Sequence, residues 1–246
     1  MQPDRLTHSG KLDFSRRAQL HEIMDGPCER EMLREYLKAL AQVNRWFLAM
    51  RPTLAWLDSL QLPQDRGPVR ILDVGCGYGD GLRRIERWAR ERGIHVQLTG
   101  LDLNPDATAI AAEATGAESE IEWVTGDVLA YVPQQRVDIV VSALFTHHLS
   151  DEEVVRFVRW MESYCAMGWF INDLSRAEAS YHQFKLFTRL ARLHPGVQND
   201  GPISIARAFV ASEWRALCEA AGLSAQDVTI AGWKPGRLCV SRRKQR

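Results

Sequence analysis

The sequence predicts an α/β fold: a doubly wound, mostly parallel seven-stranded sheet with an antiparallel last strand, preceded by an N-terminal helical segment. Three observations predict it. Short apolar runs alternate with helical stretches from residue 69 onward, the pattern of strand–helix–strand units whose sheet is covered on both faces. A glycine-rich turn, Gly75-Cys76-Gly77-Tyr78-Gly79, joins the first of these runs to a helix. Two final runs flank Lys234-Pro235-Gly236, a turn that pairs them as a hairpin and so reverses one strand.

The elements follow in order. Residues 1 to about 30 are polar and interrupted by Gly10, Gly26 and Pro27, an arm with one short helix expected over Arg16–Met24. Leu33, Leu37, Leu40, Val43, Phe47 and Met50 recur at three- and four-residue steps, the stripe of an amphipathic helix, which Pro52 is expected to break. Residues 63–68 (PQDRGP) read as a linker, dividing an arm and helical segment (1–62) from the main domain (63–246). Within that domain strands are expected at Val69–Val74, Val96–Leu101, Ile121–Thr125, Val137–Ala143 and Trp169–Asn172. Helices are expected at Gly81–Gly93, at Asp106–Thr115, and after Ser150, where Ser150 and Glu153 form an S-x-x-E capping box. A helical insertion occupies about 175–210, with Tyr181, His182, Phe184 and Phe187 on a helix and 200–207 as a polar loop. Ser212 is expected to cap a helix through Ala221, ahead of the strands Val228–Trp233 and Arg237–Ser241.

Composition narrows the function classes. Lys plus Arg and Asp plus Glu both total 31, which argues against a nucleic-acid partner, since such proteins carry a basic excess. With 46% apolar residues there is enough hydrophobic surface to exclude disorder as the main state. The five cysteines are odd in number and form no C-x-x-C pair, so neither a disulfide framework nor structural zinc is expected. The N-terminus has no apolar leader, and no run approaches the ~20 apolar residues that span a bilayer. The expectation is a cytoplasmic protein acting on a small molecule, its oligomeric state unspecified.

The glycine turn indicates the ligand. Glycines let backbone N–H groups approach a bound group closely, and the helix that follows adds a positive partial charge. The spacing is not the G-x-G-x-x-G of dinucleotide sites, because the third glycine comes one residue early and Asp80 takes its place. Asp73 precedes the turn by two positions; it would repel a pyrophosphate and attract an ammonium group. Asp102 ends the second strand about 20 residues further on, where ribose hydroxyls are gripped. Asp127 follows the third strand, placed to accept from an adenine amine with Leu103 and Val128 flanking the ring. Amine, ribose and adenine together describe S-adenosylmethionine.

The residues Asp73-Val74-Gly75-Cys76-Gly77-Tyr78-Gly79, together with Gly100, Asp102 and Pro105 of a G-x-D-x-x-P motif and Gly126-Asp127, resemble the class I S-adenosylmethionine-dependent methyltransferases that act on small molecules. The resemblance covers roughly residues 69–241 and implies a Rossmann-like methyltransferase fold with a helical cap, at residues 13–60, over the pocket. It implies cofactor contacts from Asp73, Gly75, Cys76, Gly77, Gly79, Asp102, Leu103, Asp127 and Val128. It also places Ser142, Ala143 and Leu144 near the methionine arm and the methyl group.

Candidate catalytic residues follow the fourth and fifth strands. His147 or His148 can remove an acceptor proton as the methyl group moves, and Asp173 can orient a histidine or a hydroxyl or serve as a helix cap. Asn172 and Arg176 lie beside it, and Arg16, Arg17 and His21 are candidate pocket-edge groups. No metal site is expected, because Asp173 and Asn172 alone are too few acids after strand five for a metal-dependent catechol enzyme. Phe184 and Phe187 either line an apolar pocket or cover the sheet. The expected reaction is methyl transfer to a hydroxyl of an aromatic, quinone-like or polyketide-like acceptor. A non-catalytic cofactor-binding or partner protein on the same scaffold is the alternative.

Overall fold

The computed structural model describes residues 12–26, 28–62 and 67–244. Gly10, Pro27 and residues 63–66 of the linker lie outside them. Seven strands form one sheet: β1 (Val69–Val74), β2 (Val96–Asp102), β3 (Glu122–Thr125), β4 (Val137–Ala143), β5 (Cys165–Leu174), β6 (Thr229–Trp233) and β7 (Arg237–Arg243). Their order is β3-β2-β1-β4-β5-β7-β6. The first five are parallel, and β7 lies antiparallel between β5 and β6, as the sequence pattern predicts.

Alternation along β1 shows why the sheet is wound on both faces. Leu72 and Val74 join one core with Val140, Trp169, Phe157 and Trp214. Ile71 and Val69 point the other way, into a second core with Leu57, Leu82, Ile85 and Phe170. The first core is covered by α5 (Asp151–Tyr164) and α8 (Ala211–Ala220). The second is covered by α2 (Arg51–Ser59) and α3 (Asp80–Glu91). A period-two alternation that is apolar on both sides is what a buried parallel strand requires.

The chain winds outward in two directions from β1, which pairs with both β2 and β4. The connections after β1 and β4 leave on opposite faces of the sheet, to α3 and α5, and the crevice between them is where such sheets bind ligands. Ser150 accepts from the Glu153 N–H and Glu153 from the Ser150 N–H, so the capping box forms as expected.

Several boundaries differ from expectation. The amphipathic helix α1 spans Arg30–Trp46 and ends before Pro52, at a turn where Leu48 takes φ 52°. Pro52 instead sits in the first turn of α2, where its missing N–H costs nothing. The helix expected over residues 16–24 is only a 3-10 turn, Ile23–Asp25; its polar groups are tied to other segments. The expected polar loop at 200–207 is part of a helix, α7 (Pro195–Arg207), with Pro202 inside it. There Asp200 accepts from the Ile23 N–H and the Tyr36 hydroxyl, so tertiary contacts hold a helix that local propensity disfavours. The insertion's other helix is α6 (Glu178–Leu190). Helix α8 starts at Ala211, with Glu213 rather than Ser212 meeting the free N–H of Val210.

Candidate functional site

A cavity of about 1130 Å³ opens at the C-terminal ends of β1, β2 and β4. On its sheet side it is lined by Asp73, Gly75, Cys76, Gly77, Asp102 and Leu103, joined by Asp127, Val128, Ala143 and Leu144. Ten of the twelve residues expected to hold the cofactor thus meet at one wall. Two do not. Gly79 lies beneath Trp123 and Arg83, and the Ser142 hydroxyl turns into the sheet to donate to the Val74 carbonyl, 2.9 Å away. Both are off the wall because they shape the turn and the strand pairing rather than face the crevice.

The turn is built around its backbone. Gly75 has φ 72°, and a Cβ there would stand 2.8 Å from the Phe145 ring, so only glycine fits. The Gly75 and Cys76 N–H groups bond the Leu101 carbonyl. Asp102 fixes the next step: its Oδ2 accepts from the Gly77 N–H at 2.9 Å and its Oδ1 from the Asn104 N–H at 3.0 Å. Two backbone bonds leave lone pairs on both oxygens for a diol.

Electrostatics set these acids apart. Asp73 is 6% exposed, and its carboxyl has no hydrogen-bond donor or cation beside it among the described residues. Burial, reinforced by Asp80 and Asp102, pushes it up to about 8. Burial also raises Asp102. A cationic amine entering beside Asp73 would compensate a carboxylate that the fold leaves unpaired. Asp127 differs, because its Oδ1 accepts from the Leu129 N–H and so closes its own turn. An amino-acid-bearing nucleoside fits this set: glycine backbone, an uncompensated buried acid, a diol acceptor and an apolar cleft at Val128.

The opposite wall comes from α1, α6 and α7, with Leu40, Val43, Phe47, Phe184, Phe187 and Val197 facing the cavity. Phe47 meets Phe187 edge-on at 5.3 Å and Phe184 at 5.8 Å. Phe184 and Phe187 therefore line the pocket, while Tyr181 and His182 pack against Phe14. Arg237 also lines this end. It is buried, its Nη1 has no partner among the described residues, and Asn44 accepts from Nη2 at 3.5 Å.

Between the walls lies a polar cluster at the turn Thr146–His148. His147 and His148 both line the cavity; Asp173 stands behind them. Asp173 orients His147, with Oδ1 accepting from Nδ1 at 2.8 Å. Burial works to raise Asp173, but His147, Thr146 and the Leu174 N–H outweigh it and hold the carboxyl below its ordinary range. The helix-cap alternative for Asp173 is not realised, since it lies within β5. His148 pairs through Nδ1 with Asp25 Oδ1 at 2.9 Å. Sequence reasoning missed Asp25, Glu22 and Arg207. Glu22 is 6% exposed and raised to about 7, chiefly by burial. No spacing in the polar arm marks it, because its neighbours come from elements about 125 and 185 residues away.

The remaining candidates are structural. Arg176 bonds Glu213 and the Ala208 carbonyl, and Asn172 donates to Ala49 and Thr53. Arg17 holds the arm down, donating to the carbonyls of Arg207, His147 and Leu149 and to Asp151. Arg16 pairs with nearby Asp13, at 3.5 Å, whereas His21 lines the cavity.

Comparison with known proteins agrees with this geometry. Residues 71–168 match a family model described as a methyltransferase domain. A trans-aconitate 2-methyltransferase of Streptomyces avermitilis is 37% identical over 86 residues, 33% of this chain and 29% of that protein. A 2-phytyl-1,4-naphtoquinone methyltransferase of Thermosynechococcus vestitus is 36% identical over 80 residues, 32% of this chain and 33% of that protein. These matches span about a third of the curated relatives' length. The plantazolicin methyltransferase BpumL, solved in complex with SAH, shares the fold with a TM-score of 0.63 at 16% identity, over 88% of this chain and 95% of that one. Residues 71–168 are thus similar to a methyltransferase domain, and the sheet topology of the whole chain is a fold it shares with solved methyltransferases.

Proposed function

We propose that the protein transfers a methyl group from S-adenosylmethionine to a hydroxyl of a small, largely apolar acceptor of aromatic, quinone-like or polyketide-like type. One observation carries the reading. A single cavity runs from the acids at the strand ends to an aromatic wall on the cap and insertion. Its volume of about 1130 Å³ exceeds the roughly 300–1,000 Å³ of an ordinary single-ligand site, leaving room for donor and acceptor together.

S-adenosylmethionine, when bound, supplies the electrophilic methyl group. The protein's own residues do the rest. Asp73 holds the ammonium, Asp102 accepts from the ribose diol, and Val128 and Leu103 flank the adenine beside Asp127. Leu144, forced to φ 56° at the end of β4, brings its backbone to the reacting end. Phe47, Phe184 and Phe187 hold the acceptor in line and exclude water, the main requirement for a displacement of this kind. His147 and His148 ionise the acceptor hydroxyl, with Asp173 and Asp25 as positioning residues. Arg237 favours acceptors whose oxygen carries negative charge, such as phenolates and enolates. The relatives named for trans-aconitate and for a naphthoquinone support a small-molecule acceptor.

The test is methyl transfer from labelled S-adenosylmethionine to a panel of phenols, hydroquinones and 1,3-diketones. His147→Ala and His148→Ala should each lower kcat by about 10²–10⁴ with S-adenosylhomocysteine affinity unchanged. Full activity in both variants would remove the histidines from the mechanism. Tight S-adenosylhomocysteine binding with no turnover across the panel would favour a non-catalytic protein.

A further inference from the structure

The turn after β4 and the N-terminal arm bring three donor atoms to one point. His147 Nε2 lies 3.7 Å from Glu22 Oε1, and His148 Nε2 lies 4.0 Å from Glu22 Oε2. All three groups offer an atom within 4.8 Å of the others. The rings lie against one another, centroids 4.3 Å apart and tilted by 36°, and both Nε2 atoms face Glu22.

What lies behind the rings fixes what they present. Asp173 accepts four hydrogen bonds: Oδ1 from His147 Nδ1 and the Leu174 N–H, Oδ2 from the Thr146 hydroxyl and the His147 N–H. Asp25 accepts at Oδ1 from His148 Nδ1, and at Oδ2 from Arg207 at 2.5 Å and the Glu22 N–H at 3.0 Å. Each imidazole therefore spends its N–H on a carboxylate and presents a bare Nε2 lone pair to Glu22. Glu22 Oε1 accepts from Ser204 and Arg207, whereas Oε2 has no donor among the described residues. Three lone pairs thus converge at separations too long for hydrogen bonds. Ligands at about 2.1 Å from one small cation stand about 3.0–3.4 Å apart, so contraction by about 0.3–1.0 Å at the two Glu22 pairs, with the histidine rings closing alongside, would seat an ion. With Glu22 ionised, as an entering cation would favour, the carboxylates of Glu22, Asp25 and Asp173 outnumber the one contacting guanidinium, Arg207, by two charges.

We propose that Glu22, His147 and His148 bind one divalent first-row transition ion, such as Zn²⁺ or Mn²⁺, on the acceptor side of the cavity. Two imidazoles and one carboxylate suit that class over Mg²⁺ or Ca²⁺, which take oxygen donors. The carboxylates behind both histidines are the outer supports such sites use. All three ligands line the cavity, so the open positions face the acceptor. This role rests on the proposed methyl transfer and has the histidines act through the ion instead of as direct bases: an acceptor O–H would coordinate the ion and release H⁺ to solvent, and its oxygen would form the C–O bond as the methyl–sulfur bond breaks. The arrangement departs from the expectation of no metal, which weighed the ends of strands four and five without the arm.

The test uses untagged, chelator-stripped full-length protein titrated with Zn²⁺, Mn²⁺ and Co²⁺, with S-adenosylhomocysteine affinity measured in parallel. The expected result is one equivalent bound with Kd in the micromolar range or tighter, and a Co²⁺ visible spectrum of mixed N/O coordination. His148→Ala should weaken binding at least 100-fold, and the milder Asp25→Asn 10–100-fold, both with S-adenosylhomocysteine affinity intact. Binding weaker than millimolar, or the same Co²⁺ spectrum in His148→Ala and Asp25→Asn, would overturn the site. Neither result depends on turnover, so a failed methylation panel leaves this test standing.

Discussion

At the scale of single residues the sharpest feature is Asp73, a buried carboxyl with no compensating charge among the described residues and a proton held up to about pH 8. Its folded value is raised above the ordinary 3.8, so the stability it contributes is full below that value and is lost as pH rises towards 8. Asp73→Asn should therefore raise the melting temperature of the ligand-free protein at pH 8 while weakening S-adenosylhomocysteine. The ligand's ammonium favours the ionised acid, so binding at pH 7 should release close to one proton. Titration calorimetry in two buffers of different ionisation enthalpy measures that number; Asp73→Asn should release none. Asp73, the glycines and Asp102 were legible in the sequence because a short turn between strand and helix forces them together. Glu22, Asp25 and Arg207 were not, because only the tertiary path of the arm brings them to the histidines.

At the scale of elements, local chemistry and tertiary contacts divide the work. The helix α5 was readable because its start is written locally, in Ser150 and Glu153. Removing that cap with Ser150→Ala should cost about 1 kcal/mol. For a chain of this size that is a drop of roughly 2–4 °C in melting temperature, with ligand affinity unchanged, as a thermal scan would show. The helix α7 was unreadable for the opposite reason. Pro202 and the glycines at 196 and 201 argue locally for a loop, and the buried bonds of Asp200 to Tyr36 and Ile23 overrule them. Asp200→Ala should strand the Tyr36 hydroxyl in the core and destabilise the protein by about 1–3 kcal/mol. A denaturant midpoint unchanged from wild type would show that α7 is held by something else.

At the scale of the whole molecule, the sheet supplies one half of the cavity and the peripheral helices the other. The alternation of strands and helices predicted a mostly parallel sheet, and the turn at Lys234-Pro235-Gly236 one antiparallel strand, but the strand order was not predicted and comes from the structure. Which peripheral helix would face the crevice was not written in any period, since α6 carries Phe184 and Phe187 on a surface that could equally have covered the sheet. Division of labour between the halves is testable: Phe47→Ser should raise KM for apolar acceptors without moving S-adenosylhomocysteine affinity. The central claim is that acids on successive strand ends hold a nucleoside joined to an amino acid, and calorimetric titration of S-adenosylhomocysteine into wild type and Asp102→Ala tests it most directly. The account predicts one saturable site in the wild type, weakened by about 1–3 kcal/mol in the variant. No saturable binding to the wild type, or equal affinity in both proteins, would contradict it.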